Sequence, residues 1–170
     1  MNYFFTADEH YGHLNIIKYC DRPFRTVEEM DDEIIRRHNE VVGIDDVVYH
    51  LGDFTLRDAQ AAENYRRRLN GRHYFLKGSH DNWLPSDYNK MVVIKIGDHT
   101  ITMCHYAMRT WQASHYNSWQ LFGHSHGKLL GIGKQMDVGV DTHGFYPYSF
   151  EDVYKIMDKK EDNFNLIKKL

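Results

Sequence analysis

The sequence contains no run of about 18 consecutive apolar residues, the length a membrane-spanning helix requires, so a membrane protein of that kind is not expected. Its opening stretch, Met1-Asn2-Tyr3-Phe4-Phe5, has no basic region and reaches Asp8 too early for a secretory leader, which gives a cytoplasmic protein as the expectation. Cysteine is scarce. Cys20 and Cys104 are its two instances, each set among apolar or aromatic neighbours, and read as buried reduced thiols rather than a bridge. Positive charge is not in excess either: a formal net charge of -3 supplies no global field for polyanions, so a nonspecific nucleic-acid coat is excluded. Proline- or serine-rich linkers, internal repeats and low-complexity tracts are absent, and residues 1–170 read as one domain, large enough to bury about 70% of its extended-chain surface. Composition sets no oligomeric state.

What the chain does have is histidine: twelve of them, enough that their placement becomes the question, because imidazole is the commonest metal ligand. Tyr3 to Thr6 reads as a strand that runs into Ala7-Asp8-Glu9-His10. Leu14 to Tyr19 makes a short helix. Thr26-Val27-Glu28-Glu29 is a capping-box pattern, followed by Met30, Ile34, His38 and Val41 at spacings of three and four, which predicts an amphipathic helix over 27–42. A β-branched and aromatic strand over 46–51 closes on Gly52-Asp53. Asp58 caps a helix to about Leu69, and His73 to Leu76 forms a strand ending on Lys77-Gly78-Ser79-His80-Asp81. Met91 to Ile96 and Thr100 to Cys104 read as a hairpin whose second arm ends on His105. Trp119 to Phe122 leads into Gly123-His124-Ser125-His126, Met136 to Val140 is a last strand, and Ser149 starts a helix to about Lys159. Helices between the early strands and hairpin-like strands after them predict an α/β domain with mixed sheets.

Five apolar runs thus finish on Asp8/His10, Asp53, Ser79/His80, His105 and His124/His126. In open α/β sheets, ligands sit outside the carboxyl ends of the strands, so groups distant in sequence can converge there. Mixed imidazole and carboxylate donors suit transition metals better than magnesium or calcium. Each fragment is weak alone, since a Gly-Asp after a strand is ordinarily a turn. The joint occurrence carries the signal.

In this order and spacing, Asp8-Glu9-His10, Gly52-Asp53, Gly78-Ser79-His80-Asp81, His105 and Gly123-His124-Ser125-His126 resemble the motif blocks of the calcineurin-like metallophosphoesterases. The resemblance spans residues 8–126 and implies a four-layer α-β-β-α sandwich, with two mixed central sheets flanked by helices and a dinuclear site at their edge. It implies that Asp8, His10 and His126 hold one ion, that His105 and His124 hold the other, and that Asp53 bridges them. Ser79 stands where the family has a metal-binding asparagine; a hydroxyl has less reach than an amide carbonyl, so the second ion is expected to be weakly held. The cofactors implied are two divalent transition-metal ions, manganese first, with iron, nickel, zinc or cobalt as alternatives. A metal-bridging hydroxide would attack phosphorus, with His80 near the leaving group as general acid. Leu56 occupies the position where some family branches place an acid that pairs with this histidine, leaving Asp81 or a backbone carbonyl to orient it.

Arg22, Arg109 and His143 are candidates for gripping the phosphoryl group. His13 and His50 are candidate outer-shell partners of the ligands. His38 and His73 are expected to pack, and His99 and His115 to face water. Arg66-Arg67-Arg68 reads as a solvated helix face rather than a nucleic-acid patch. The substrate class left open is a phosphorylated small molecule, a nucleotide or nucleic acid, with a diester somewhat preferred over a monoester. The alternative to an enzyme is a non-catalytic phosphoesterase-like scaffold with a weakened second metal site, for which Ser79 is the motif residue in favour.

Overall fold

The computed structural model describes residues 1–167. Strand β1 (Tyr3–Thr6) is followed by helix α1 (Leu14–Tyr19), α2 (Val27–Val41), β2 (Val47–His50), α3 (Ala59–Arg66) and β3 (Arg72–Phe75). Then come β4 (Met91–Ile96), β5 (His99–Cys104), β6 (Trp119–Phe122), β7 (Gln135–Asp137), β8 (Tyr148–Ser149) and α4 (Phe150–Lys159). Two four-stranded sheets result, ordered β3-β2-β1-β8 and β4-β5-β6-β7. Both are mixed: β8 runs antiparallel to β1, and β4 antiparallel to β5, while the other pairings are parallel. The expected α/β sandwich with two mixed sheets is therefore what the chain forms.

Side-chain alternation explains the layers. Phe5, Ala7 and Leu51 from the first sheet meet Ile101, Met103, Trp119, Leu121 and Met136 from the second, and Val153 and Met157 of α4 join this cluster. The opposite face of the first sheet meets the early helices through a second cluster containing Tyr11, Ile16, Met30, Ile34, Phe54 and Ala62. The helix starts follow their caps. Thr26 Oγ1 accepts from the Glu29 amide at 3.1 Å, but the Glu29 carboxylate takes the Arg25 amide at 2.9 Å rather than closing the expected box. Ser149 and Asp152 close a complete reciprocal box at α4.

The last predicted strand is shorter than expected. After β7 the chain passes Gly139 and enters a single 3₁₀ turn over Val140–Thr142, which redirects Asp141 toward the other strand ends. His99 does not face water. Its ring stacks on Trp119 with centroids 4.2 Å apart and meets Tyr154 edge-on, so it belongs to the packing beside α4. Arg66 and Arg67 both pair with Glu63 and Arg68 with Asp32, the solvated face expected of the triplet. Cys20 and Cys104 are half-buried and free rather than fully buried.

Between the first sheet and α2 lies a file of buried imidazoles. His50 Nδ1 is 2.6 Å from Glu9 Oε1, His50 Nε2 is 2.9 Å from His73 Nδ1, and His38 Nε2 lies 2.9 Å from the Asn70 carbonyl oxygen. Burial pushes His38, His50 and His73 down to about 3. An imidazole that is neutral in the fold and ordinary in the unfolded chain contributes stability above about pH 6.5, and loses it as pH falls toward its folded value. Replacing His38→Leu removes one such group. Urea unfolding at pH 7.5 and pH 5 is expected to show the variant losing about 1–2 kcal/mol less stability across that interval than the parent. Identical losses would show that His38 is not held neutral in the fold.

Candidate metal centre

The strand ends of both sheets open on one edge, where the backbone takes an unusual form. Asp8, His10, Asp53, His124 and His126 all have positive φ, between 48° and 67°. Aspartate and histidine tolerate this left-handed region better than most residues, but each instance is still strained by about 1–3 kcal/mol and persists only where its surroundings over-determine it. Here they do. The Asp8 and His10 amides donate to the carbonyls of Gly52 and Asp53 at 3.0 Å, and the His124 amide donates to the Asp8 carboxylate at 2.8 Å. Glycines let these loops touch. A Cβ on Gly123 would stand 2.7 Å from Asp8 Oδ2, and one on Gly78 would run into the Asp53 backbone and carboxylate.

Three groups of ligand-competent atoms result, each with its members within 4.8 Å of one another: Asp8, His10 and His126 in one, Asp53, His105 and His124 in another, and Cys20, His126 and Asp141 in a third that shares His126 with the first. Asp53 belongs to both sides, because its Oδ2 lies 3.2 Å from His105 Nε2 and 3.7 Å from His10 Nε2. Among the described residues neither of these buried Nε2 atoms has a hydrogen-bond partner. Orphaned imidazole nitrogens aimed at a shared carboxylate are the signature of a site that a cation completes. The far side of each ring is fixed, with His105 Nδ1 2.9 Å from the Leu51 carbonyl and His126 Nδ1 2.7 Å from Asp141 Oδ2, which leaves Nε2 as the ligating atom. The donor set therefore fits divalent transition metals.

The electrostatics agree with cation binding. Burial, reinforced by the nearby Asp53 charge, pushes the Asp8 carboxyl well above its usual range, a cost that an adjacent cation would reverse. Burial would raise Asp53 too, but His105 and the His80 amide outweigh it and hold this carboxyl below its ordinary value. Burial lowers His10 to about 3 and lowers His124 as well, so both imidazoles are neutral and ready to ligate near pH 7.

Ser79 sits against the centre rather than clearly within it. Its Oγ donates to Asp53 Oδ2 at 3.0 Å. His80 is 46% exposed at the mouth of the cleft, with Nε2 4.0 Å from Asp53 Oδ2. Asp81 does not orient it. That carboxylate instead accepts the amides of Asp53, Phe54 and Gly78 at 2.7–2.9 Å, clamping the second and third strand ends together. His13, expected near the ligands, does lie there, with its Nδ1 3.4 Å from His10 Nδ1. His50 reaches the site only through Glu9.

The three substrate-binding candidates are corrected. The Arg22 side chain is 0% exposed, and its fork is consumed by Asp141 at 2.8 Å and by the carbonyls of Asp8 and Glu9 at 2.7 and 2.9 Å. It has no face left for substrate and holds the first ligand block from behind. Arg109 stacks its guanidinium over Phe164, 4.3 Å from the ring centroid, outside the cleft lining. His143 lies flat on Tyr148 with centroids 4.0 Å apart and also lies outside that lining. Asp137 and Asp141 were missed by sequence reasoning. Asp137 accepts the amides of Gly127 and Gly139 at 2.9 and 2.8 Å, and the signal was that Asp137 ends β7 and Asp141 lies just beyond it.

Comparison with known proteins places these features. The chain is 32% identical over 162 residues to the uncharacterized protein MJ1445 of Methanocaldococcus jannaschii, a match covering 90% of this chain and 89% of the archaeal one. No family model matches. Among solved structures, the protein of unknown function AQ665 from Aquifex aeolicus superposes with a TM-score of 0.72 at 20% identity, over 91% of this chain and 98% of that one. A predicted phosphoesterase from Streptococcus pneumoniae matches at 18% identity over 81% of this chain and 70% of that one, with a TM-score of 0.42. The chain belongs to one family with the Methanocaldococcus jannaschii protein and shares the fold of the Aquifex aeolicus one.

The buried Arg22–Asp141 pair makes a prediction. Arg22→Lys keeps the charge but loses the planar fork, and Asp141→Asn keeps the shape but weakens the grip on His126 Nδ1. Each is expected to raise the apparent Kd for Mn²⁺ by about 10–100-fold in calorimetric titration, with native circular dichroism retained. Unchanged affinity in both would show that the pair supports the fold alone.

Proposed function

We propose that this protein is a metal-dependent phosphoesterase that hydrolyses a phosphate ester at a dinuclear site, with diesters preferred over monoesters. The observation that carries this reading is the Asp53 carboxylate, set between two ligand groups whose buried Nε2 atoms have no other partner among the described residues. Two bound divalent ions would lower the pKa of a water held between them and polarise the phosphoryl oxygens. Manganese is the first candidate, with iron, nickel, zinc and cobalt behind it, because imidazole and carboxylate are borderline donors.

The chain's own groups do the rest. Asp8, His10 and His126 would hold one ion and His105 and His124 the other, with Asp53 within reach of both sides. His80, half-exposed beside Asp53, reaches over the cleft and donates a proton to the departing ester oxygen. Its backbone amide donates to Asp53 Oδ1 at 2.8 Å, so the bridging carboxylate and the proton donor are fixed by one residue. His80 and Lys128, both exposed, line the cleft, and a mouth between them would admit both arms of a diester. Substrates of this kind are phosphorylated small molecules, nucleotides or nucleic acid. Among the described residues no helix is long and apolar enough to cross a membrane.

Turnover of bis(p-nitrophenyl) phosphate against p-nitrophenyl phosphate, with each metal in turn, is the test. Manganese-dependent release with the diester ahead is expected, and His80→Ala should cut kcat by about 10²–10⁴-fold. Ser79→Asn restores a carbonyl ligand and should raise both the second equivalent of bound metal and the rate. Metal-loaded protein with no turnover on either ester would instead make the chain a non-catalytic scaffold, the reading that Ser79 favours.

A further inference from the structure

The cleft beside the metal ligands, about 230 Å³, has two chemically different sides. One is the floor of imidazoles and carboxylate already described. The other is built by α1, which presents Ile16 and Tyr19, followed by Cys20, directly opposite. Tyr19 is 66% exposed, although it is a large aromatic on a wall of the cleft. No hydrogen bond engages its hydroxyl among the described residues, and its one ring neighbour is His13, edge-on with centroids 6.4 Å apart. His13 in turn lies 5.4 Å from the His10 ring and 6.3 Å from the His80 ring, so Tyr19 stands one ring beyond the place where the ester oxygen would leave. At the rim Lys128 reaches back, its Nζ donating to the Tyr19 carbonyl at 3.3 Å, and this contact ties the loop after β6 to the end of α1.

A phosphoryl group and its ions need only the floor. An apolar wall one ring-width away adds nothing to phosphate binding, since apolar surface interacts with apolar surface. We propose that this wall is a subsite for an aromatic ester group, with the ring packed on Tyr19 beside Ile16 while the phosphoryl group lies on the metal-ligand floor. The substrate class is then a phosphoester carrying a flat aromatic substituent, a nucleobase or a simple aryl ring. Tyr19 is the specificity residue of that class, and Ile16, buried beneath it, keeps the wall dry. This assignment rests on the phosphoesterase reading for its biological meaning, but its physical content is a binding preference that needs no turnover.

The test therefore separates the two. Manganese-loaded protein is titrated calorimetrically with phenylphosphonate and with methylphosphonate, which share the phosphoryl mimic and differ in the ring. The parent is expected to bind the phenyl compound at least about fivefold more tightly, Tyr19→Phe to keep that preference, and Tyr19→Ala to reduce it to less than about twofold. Equal affinity for the two phosphonates in the parent, or an undiminished preference in Tyr19→Ala, would overturn the subsite. Preference without any hydrolysis of the nitrophenyl esters would leave the subsite standing and remove the catalytic reading. Hydrolysis without preference would do the reverse.

Discussion

Left-handed backbone at the strand ends is the constraint on which this molecule depends. Five ligand residues stand at positive φ, and none of them could do so on a free loop without relaxing into an ordinary turn. What holds them is a mesh of buried hydrogen bonds between loops that follow different strands: Asp81 on the amides of residues 53, 54 and 78, Arg22 on the carbonyls of residues 8 and 9, and Asp8 on the amide of residue 124. Charge-assisted bonds of this kind contribute about 1.5–3 kcal/mol each, which is on the scale of the strain they oppose. The fold beneath is accordingly built to bring strand ends together. Parallel neighbours β1, β2 and β3 release their chains on the same edge, and β5, β6 and β7 do so from the second sheet.

Much of this was legible in the sequence because strand and helix periods are local signals. The runs at 3–6, 91–96 and 119–122 carried the right residue types over the right lengths, and Asp58 and Ser149 marked helix starts by capping chemistry that depends only on near neighbours. The ligand blocks were legible for a similar reason: each is a short motif at the end of a recognisable strand. Their convergence was an expectation from sheet geometry, and the structure gathers Asp8, His10 and His126 into one ligand-competent group and Asp53, His105 and His124 into another.

The rest was illegible because it depends on contacts between distant segments. Arg22 reads as a candidate phosphoryl grip beside Pro23, and only its burial against Asp141, 119 positions away, shows that it supports the first ligand block from behind. Arg109 looked available because it follows a motif, yet it spends its flat face on Phe164 from a remote part of the chain, while His143 is claimed by the nearby Tyr148. Gly139, which sits inside what reads as one strand, is where β7 gives way to a 3₁₀ turn, and that turn is what delivers Asp141. His99 shows the converse: a hairpin-turn residue expected in water is claimed by Trp119.

The Arg22–Asp141 contact also sets an order of events during synthesis. A nascent chain that has exposed its first 126 residues already carries every metal ligand, but the carboxylate that fixes His126 and fills the fork of Arg22 has yet to emerge. Loop closure across such a span cannot precede the arrival of its far end, so both strand-end blocks remain unbraced until residue 141 has emerged. A chain cut short between residues 126 and 141 is left with the donors but without the carboxylate that aims His126.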